Sequence, residues 1–384
     1  MHVCFLTNGY GEDRSAALIA GELRSLRHDI TISGAPLVTP GHEYEKHGFP
    51  VLYRGKVPPS GGFPTTSMGW FLRDLLHIGK GLGYYRALKR HRSEIDYVVA
   101  VGDFVLMMLG HYALRRKMLF LALAKSDHKR PHLGIEEHFL RRIPSEVLTR
   151  DSYTAEQLRV KGVRATFLGN PIMDALEPKG IAITGNRVVG VLPGSRAEAF
   201  ENFRRILAVI DLVHEPADYY CAVPGALDFG RFFQVAAETG WEAGDDDTLT
   251  RAGRTVHMVR NGFEDIIARA EVLIGLAGTA NEQAVGMGKP VVSFAGTGPQ
   301  TTVTRMTKQE MMLGGSVRYI ADHPRGVAEE VSFLLSHPEE AMRRGRIGIE
   351  RMGSPGASRR IAEHIAQTLP TGAASSLCEG LPSG

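Results

Sequence analysis

No stretch of the chain approaches the roughly 18 to 20 consecutive apolar residues that a membrane-spanning helix needs, so no such span is expected. Cysteine is nearly absent: Cys4, Cys221 and Cys378 lie far apart and form no Cys-x-x-Cys pair. That spacing supports neither a disulfide framework nor a zinc site, and it fits a reducing cytoplasm. The start, MHVCFLTNGYGED, lacks a basic leader and reads directly as a first strand, so no signal peptide is expected. A bulk excess of one charge is missing too, since a net +3 over 384 residues makes no whole-chain case for nucleic acid. Several enzyme signatures are also absent. The first glycine turn has Arg14 where a complete G-x-G-x-x-G would have its third glycine, so a nicotinamide site is not expected. No Gly-Lys-Ser/Thr ending completes a Walker A loop, no G-x-S-x-G elbow marks a serine hydrolase, and no repeat of solenoid period occurs.

What is present is a soluble, globular composition in a chain too long for one ordinary core, which favours two domains of about 150 to 200 residues. HVCFLTN, GYGED and RSAALIAGELRSL read as strand, glycine turn and helix. DITISGAPLV is a second strand, residues 53–69 a Gly/Pro/Ser loop, and residues 70–92 one helix or a pair. YVVAVGD is a continuous apolar run of the kind that parallel sheets bury on both faces. KMLFLALA and EVLTRD read as further strands, and ATFLGNPIMDAL closes this half at residue 176. After a linker at 177–186 the rhythm restarts with RVVGVLPGS and runs through KPVVSFAG, in a second domain spanning 187–353. The helix ASRRIAEHIAQTL, within 354–370, is expected to pack back on the first domain, and 371–384 reads as a flexible tail. Strands alternating with helices in two successive halves predict an α/β protein with two doubly wound, Rossmann-like domains facing a central cleft.

Four turns carry candidate chemistry. GYGED places Gly9, Gly11, Glu12 and Asp13 after the first strand, where amides and acids face a ligand or the acids merely favour the helix dipole. VLPGSRAEAF offers Gly194, Ser195 and Arg196, a turn with free amides and a cationic fork suited to a diphosphate; the plain alternative is a helix start with an exposed arginine. GLAGTANEQAVGMGKPVV holds Gly275, Gly278 and Thr279, the last placed to cap a helix, with Glu282 and Gln283 in its first turns. GTGPQTTVTRMTKQ adds Gln300 and Thr301 after the next strand. Three ligand-type turns at successive strand ends of one domain outweigh any one of them alone. In the first half, Asp103 follows a buried strand as either a general base or an N-cap.

Other features read as structural. Asp245 to Asp247 lie in a polar run that reads as a solvated loop, and His128, His132 and His138 match no standard zinc spacing and also read as loop. Cys221 sits in an apolar strand and is expected to be buried and inert. Residues 70–92 interleave Trp70, Phe71, Leu72, Leu75, Leu76 and Ile78 with Arg73, Lys80, Arg86, Lys89, Arg90 and Arg92. Such a segment either docks on an anionic membrane or packs on its own domain.

VLPGSRAEAF, LGNPIMDAL, GLAGTANEQAVGMGKPVV and RDLLHIGKG…VVAVGDF together resemble the lipid-A-disaccharide synthase family, most of all its divergent "lipid-A-disaccharide synthase-related" branch, over roughly residues 3 to 365. More distantly the chain is similar to the glycosyltransferase of peptidoglycan lipid II synthesis and to UDP-sugar 2-epimerases. The resemblance implies a GT-B glycosyltransferase with the acceptor on the first domain, a UDP-sugar of UDP-GlcNAc type on the second, and no cofactor or catalytic metal. It implies that Gly194, Ser195 and Arg196 hold the diphosphate, and that Gly278 and Thr279 lie under the phosphates or ribose. Gln300 and Thr301 belong to the same donor site. The family's ribose-binding glutamate falls on Gln283, with Glu282 one residue earlier, so both stand as candidates. Asp103 matches the region of the catalytic aspartate, with Asp13 and Glu12 in reserve, and Gly9, Gly11 and Asn170 fall on the acceptor side. A lipid or lipid-linked acceptor at the inner face of the membrane is the expected partner. An epimerase on the same fold, or a non-catalytic nucleotide-sugar-binding protein, are the alternatives.

Overall fold

The computed structural model describes residues 1–55 and 78–370, which form two compact units. The first comprises the described residues up to Ala175, apart from residues 128–131, together with residues 355–370. Its elements are β1 (His2–Thr7), α1 (Tyr10–Leu26), β2 (Thr31–Pro36), α2 (His42–Lys46), α3 (Ile78–Arg90), β3 (Tyr97–Val101), α4 (Phe104–Leu114), β4 (Lys117–Ala122), α5 (Gly134–Leu140), β5 (Glu146–Thr149), α6 (Ser152–Val160) and β6 (Ala165–Thr166). The sheet is parallel throughout, in the order β2-β1-β3-β4-β5-β6. Every residue of YVVAV in β3 is buried, as a strand covered by helices on both faces requires.

In the second unit β7 (Val188–Leu192), α7 (Ala199–Ile210), β8 (Asp218–Val223), α8 (Phe229–Ala237), β9 (Glu242–Ala243), β10 (Thr248–Arg251) and β11 (Arg254–Arg260) lead to α9 (Phe263–Arg269), β12 (Val272–Gly275), α10 (Thr279–Gly286) and β13 (Val291–Ser293). Then come α11 (Val303–Leu313), β14 (Val317–Tyr319), α12 (Arg325–Ser336) and α13 (Pro338–Met352). Sheet order is β14-β13-β12-β7-β8-β11-β10-β9, parallel except for the last two strands. The triple aspartate is the turn of that edge hairpin, where Asp246 and Asp247 take φ of 52° and 55°. Its two strands are short and mostly polar, with Leu249 the single buried apolar residue, which is why no apolar alternation announces them.

The last helix, α14 (Ala357–Thr368), belongs to the first unit. Ala16, Ala17 and Ala20 give α1 a small-residue face, and Ile361, Ala362 and Ile365 join the same buried cluster. Its free N-terminal amides are met by the Asp174 carboxylate, which accepts from the N–H groups of Gly356 and Ser358, the latter at 2.6 Å. Farther along, His364 Nε2 lies 2.7 Å from Glu146 Oε2.

The first part of the basic-apolar stretch at 70–92, residues 70–77, falls outside the described residues. Its described part, α3, turns Tyr84 and Leu88 fully inward and leaves Leu82, Arg86, Lys89 and Arg90 exposed. No helix among the described residues is long and apolar enough to cross a membrane.

Candidate active site

In a doubly wound sheet, ligands gather where strand order reverses, at the carboxyl ends of the two adjacent strands. The second unit reverses between β7 and β12, and the first between β1 and β3.

At the β7/β12 reversal the two strand ends nearly touch. Gly194 has a φ of 108°, and a Cβ there would stand 3.2 Å from the Leu276 carbonyl oxygen. The turn after β12 is held by two buried amides. Asn281 Nδ2 donates to Gly275 O (3.2 Å) and to Gln309 Oε1 (3.0 Å), while Gln309 Nε2 donates to the carbonyls of Ala277 (3.2 Å) and Gly278 (3.1 Å). Only glycine fits at 275, where a Cβ would lie 2.2 Å from Asn281 Oδ1. The cap position is Gly278, with φ −87° and ψ −90°, so Thr279 is the first residue of α10 and does not cap it. Among the described residues no side chain caps α10, nor does one cap α11 at Thr302. Two helix N-termini at neighbouring strand ends therefore keep their amides for another acceptor.

Two arginines join them. Arg196 is exposed in the turn after β7, three residues before α7 begins. Arg305, half-buried in the first turn of α11, has its pKa lowered by burial and then by the Arg196 charge. Like charges at two positive helix ends favour a bound anion. The Nε2 of Gln300 is buried with no hydrogen-bond partner among the described residues. Thr301, 2% exposed, instead braces its loop through Oγ1 to Thr297 O at 2.6 Å. Thr297 in turn donates through its N–H to Asn202 Oδ1 at 2.8 Å. Ser195 is exposed, Gln283 is buried on α10, and Glu282 is partly exposed beside it.

At the β1/β3 reversal, helix α1 starts earlier than the glycine turn implied. Gly9 is its cap position, while Gly11, Glu12 and Asp13 lie in its first turn. Asp13 points inward: Thr7 Oγ1 donates to Oδ1 at 2.5 Å and Thr39 Oγ1 donates to Oδ2. Burial raises its pKa to about 6. With both oxygens engaged and 1% exposure, it anchors α1 to β1 and offers nothing to a ligand. Glu12 folds back over Gly9, where a Cβ would lie 2.2 Å from its Oε2. Burial raises its pKa, as do Asp103 and Asp13, and Arg150 opposes them. Asp103 is the N-cap of α4, accepting from Leu106 N–H at 2.9 Å and also from Val105 N–H and the Asn8 side chain. Burial leaves its pKa raised despite these bonds. Gly102 permits this with φ 152°, since a Cβ would lie 2.0 Å from Asn8 Oδ1.

Gly11 has open space where a Cβ would stand. Asn170 is 3% exposed, and its Oδ1 accepts from Ile172 N–H at 3.2 Å to shape the short 3₁₀ turn that follows. Two residues escaped the motif reading. Arg150 stands directly after β5 and donates to Leu123 O at 2.9 Å, and Arg305 sat inside a quoted motif without being singled out. A cation straight after a strand was the available signal for the first. Cys221 is buried, and burial pushes its thiol up, as its apolar strand implied.

No family model matches the chain. It is 22% identical over 393 residues to the lipid-A-disaccharide synthase of Myxococcus xanthus (strain DK1622), across 94% of this chain and 96% of that protein. Similar solved structures include the UDP-GlcNAc 2-epimerase of Neisseria meningitidis bound to UDP-GlcNAc, at 13% identity and TM-score 0.61, covering 96% of this chain and all of that one (100%). Another is CalG4, the calicheamicin glycosyltransferase, at 15% identity and TM-score 0.63, covering 95% of this chain and 97% of that one. The chain therefore has the GT-B fold, two Rossmann-like domains, that glycosyltransferases and UDP-GlcNAc epimerases share.

Proposed function

We propose that the chain is a UDP-sugar-dependent glycosyltransferase, with a UDP-GlcNAc-type donor, that transfers a hexose to a lipid or lipid-linked acceptor at a membrane surface. The observation that carries this reading is the β7/β12 reversal: two uncapped helix N-termini converge there with Arg196 and Arg305. Such a site suits a diphosphate, first as part of the donor and then as the leaving group whose charge develops during transfer. Gly194 and Gly278 let the backbone approach it, Gln300 adds an amide donor, and Glu282, more exposed than Gln283, takes the ribose hydroxyls. In the first unit Asp103, with Glu12 beside it, meets the acceptor hydroxyl. The acid cluster sits at the other strand-order reversal, where the same fold rule places a ligand. No cofactor enters this chemistry, because amides and guanidinium groups supply the electrostatic stabilisation.

The test is release of UDP from UDP-GlcNAc in the presence of a detergent-dispersed bacterial lipid extract. Transfer predicts acceptor-dependent UDP release and a sugar-labelled lipid product. UDP binding without release across a broad set of extracts contradicts the reading. The likeness to UDP-GlcNAc 2-epimerases supports a second reading, separated by incubating UDP-GlcNAc with no acceptor: an epimerase interconverts the free nucleotide sugar and a transferase does not.

A further inference from the structure

Beside Asp103 lies a small cavity of about 20 Å³, enough for one water or one hydroxyl group. Its walls include Asp103, Lys125, His132 and Glu136, closed by Phe104 and Phe120. His132 and Asp127 are 5% and 6% exposed at their side chains, and His132 Nδ1 lies 2.5 Å from Asp127 Oδ1. Asp127 is itself fixed, its N–H donating to Thr154 Oγ1 at 2.9 Å. A carboxylate on Nδ1 selects the tautomer with its proton there and leaves Nε2 as a base. Among the described residues Nε2 has no hydrogen-bond partner.

Asp103 is already engaged as the cap of α4. Its Oδ1 accepts from the Leu106 N–H, so a proton placed there would weaken that cap. Two carboxylates and one ammonium group surround His132. Asp127 is bonded to it, and Glu136 lies close enough to respond to its charge. Despite burial, Glu136 is held below the ordinary range by the Leu133 N–H and by Lys125. Lys125 is the one lysine or arginine of the wall among the described residues, and it is neutralised by its ion pair with Glu136.

We propose that His132, oriented by Asp127, is the catalytic proton acceptor of the transfer reaction, with Asp103 positioning the acceptor hydroxyl; the proposal rests on the transferase reading above. The hydroxyl oxygen forms a bond to the anomeric carbon of the donor. The bond from that carbon to the diphosphate oxygen breaks, and its electron pair leaves with UDP. The hydroxyl proton passes to His132 Nε2, and Asp127 stabilises the imidazolium until the proton is lost to water.

The experiment follows UDP release from UDP-GlcNAc with the same lipid extract between pH 5 and 9, for the wild type, H132Q, D127N and D103N. The proposal predicts that H132Q lowers kcat by about 100-fold or more and removes the acidic limb of the pH profile. KM for UDP-GlcNAc and calorimetric affinity for UDP should be unchanged. D127N, which keeps the carboxylate's shape, should lose at least about tenfold in kcat by releasing the tautomer, and it carries the test if H132Q does not fold. A folded H132Q or D127N within twofold of an active wild type, with the same pH profile, overturns the assignment while leaving the transferase reading intact. A wild type that releases no UDP overturns both.

Discussion

Asp13 is 1% exposed and accepts two hydroxyl hydrogen bonds, yet burial holds its pKa near 6, above the ordinary 3.8. A folded-state pKa above the unfolded one means the folded chain prefers the neutral acid. Its stabilising contribution is complete below about pH 4 and is lost as pH rises through about 6, a shift of some two units or about 3 kcal/mol. Urea unfolding at intervals across that window should show the loss in the wild type and a flatter profile in D13N; equal slopes would refute the assignment. Arg305 makes the second prediction at this scale. Replacing it by alanine should weaken UDP binding by roughly ten- to a hundred-fold, the worth of a charge-assisted hydrogen bond, while leaving the melting temperature near that of the wild type. Residues differ in how far sequence exposes such roles. Asp103 could be read as base or cap, and geometry shows the cap is made. The His132–Asp127 pair was invisible, because a loop joins the two residues and no periodicity marks a contact across a loop.

Among the elements, α10 carries the candidate ribose and phosphate contacts and is supported by α13. Gly345 and Gly348 of α13 face it at backbone distance: a Cβ at 345 would lie 2.2 Å from Gly288 O, and one at 348 would lie 2.2 Å from Val285 O. Alanine is normally better than glycine inside a helix by about 1 kcal/mol, so the sign of the substitution is diagnostic. We predict that G345A and G348A each destabilise the protein by about 1–3 kcal/mol and loosen UDP binding, as overpacking pushes α13 off α10. Chemical melts with no loss of stability would show that the two helices separate freely. Sequence alone reads these glycines as weak helix formers, and their meaning appears only once the facing carbonyls are known. Strands behaved differently. VVGVL and YVVAV are continuous apolar runs, so their place in parallel sheets was legible, whereas β9 and β10 are short, mostly polar and bury only Leu249, and were not.

On the scale of the whole molecule, the proposed chemistry is organised by two strand-order reversals, one flanked by arginines in the second unit and an acid-rich one in the first. The alternation of strands and helices made the two domains legible. Strand order was not, because it depends on which strands pair, so the meeting of Asn8, Glu12 and Asp103 could not be read from spacing. The proposed membrane partner yields a further prediction. Binding to anionic vesicles should weaken as salt rises, and neutralising Arg86, Lys89 and Arg90 should reduce it by about 3 kcal/mol at low salt. Vesicle binding untouched by the triple substitution would move the docking surface elsewhere.

The central claim, that the β7/β12 reversal in the second unit holds the diphosphate of a UDP-sugar, is tested most directly by titrating UDP into the protein in a calorimeter, with uridine as the control. The account predicts saturable binding of UDP, much weaker binding of uridine, and a marked loss of UDP affinity in the R196A/R305A double variant. Absence of UDP binding by the folded wild type, or equal affinity in the double variant, would contradict it.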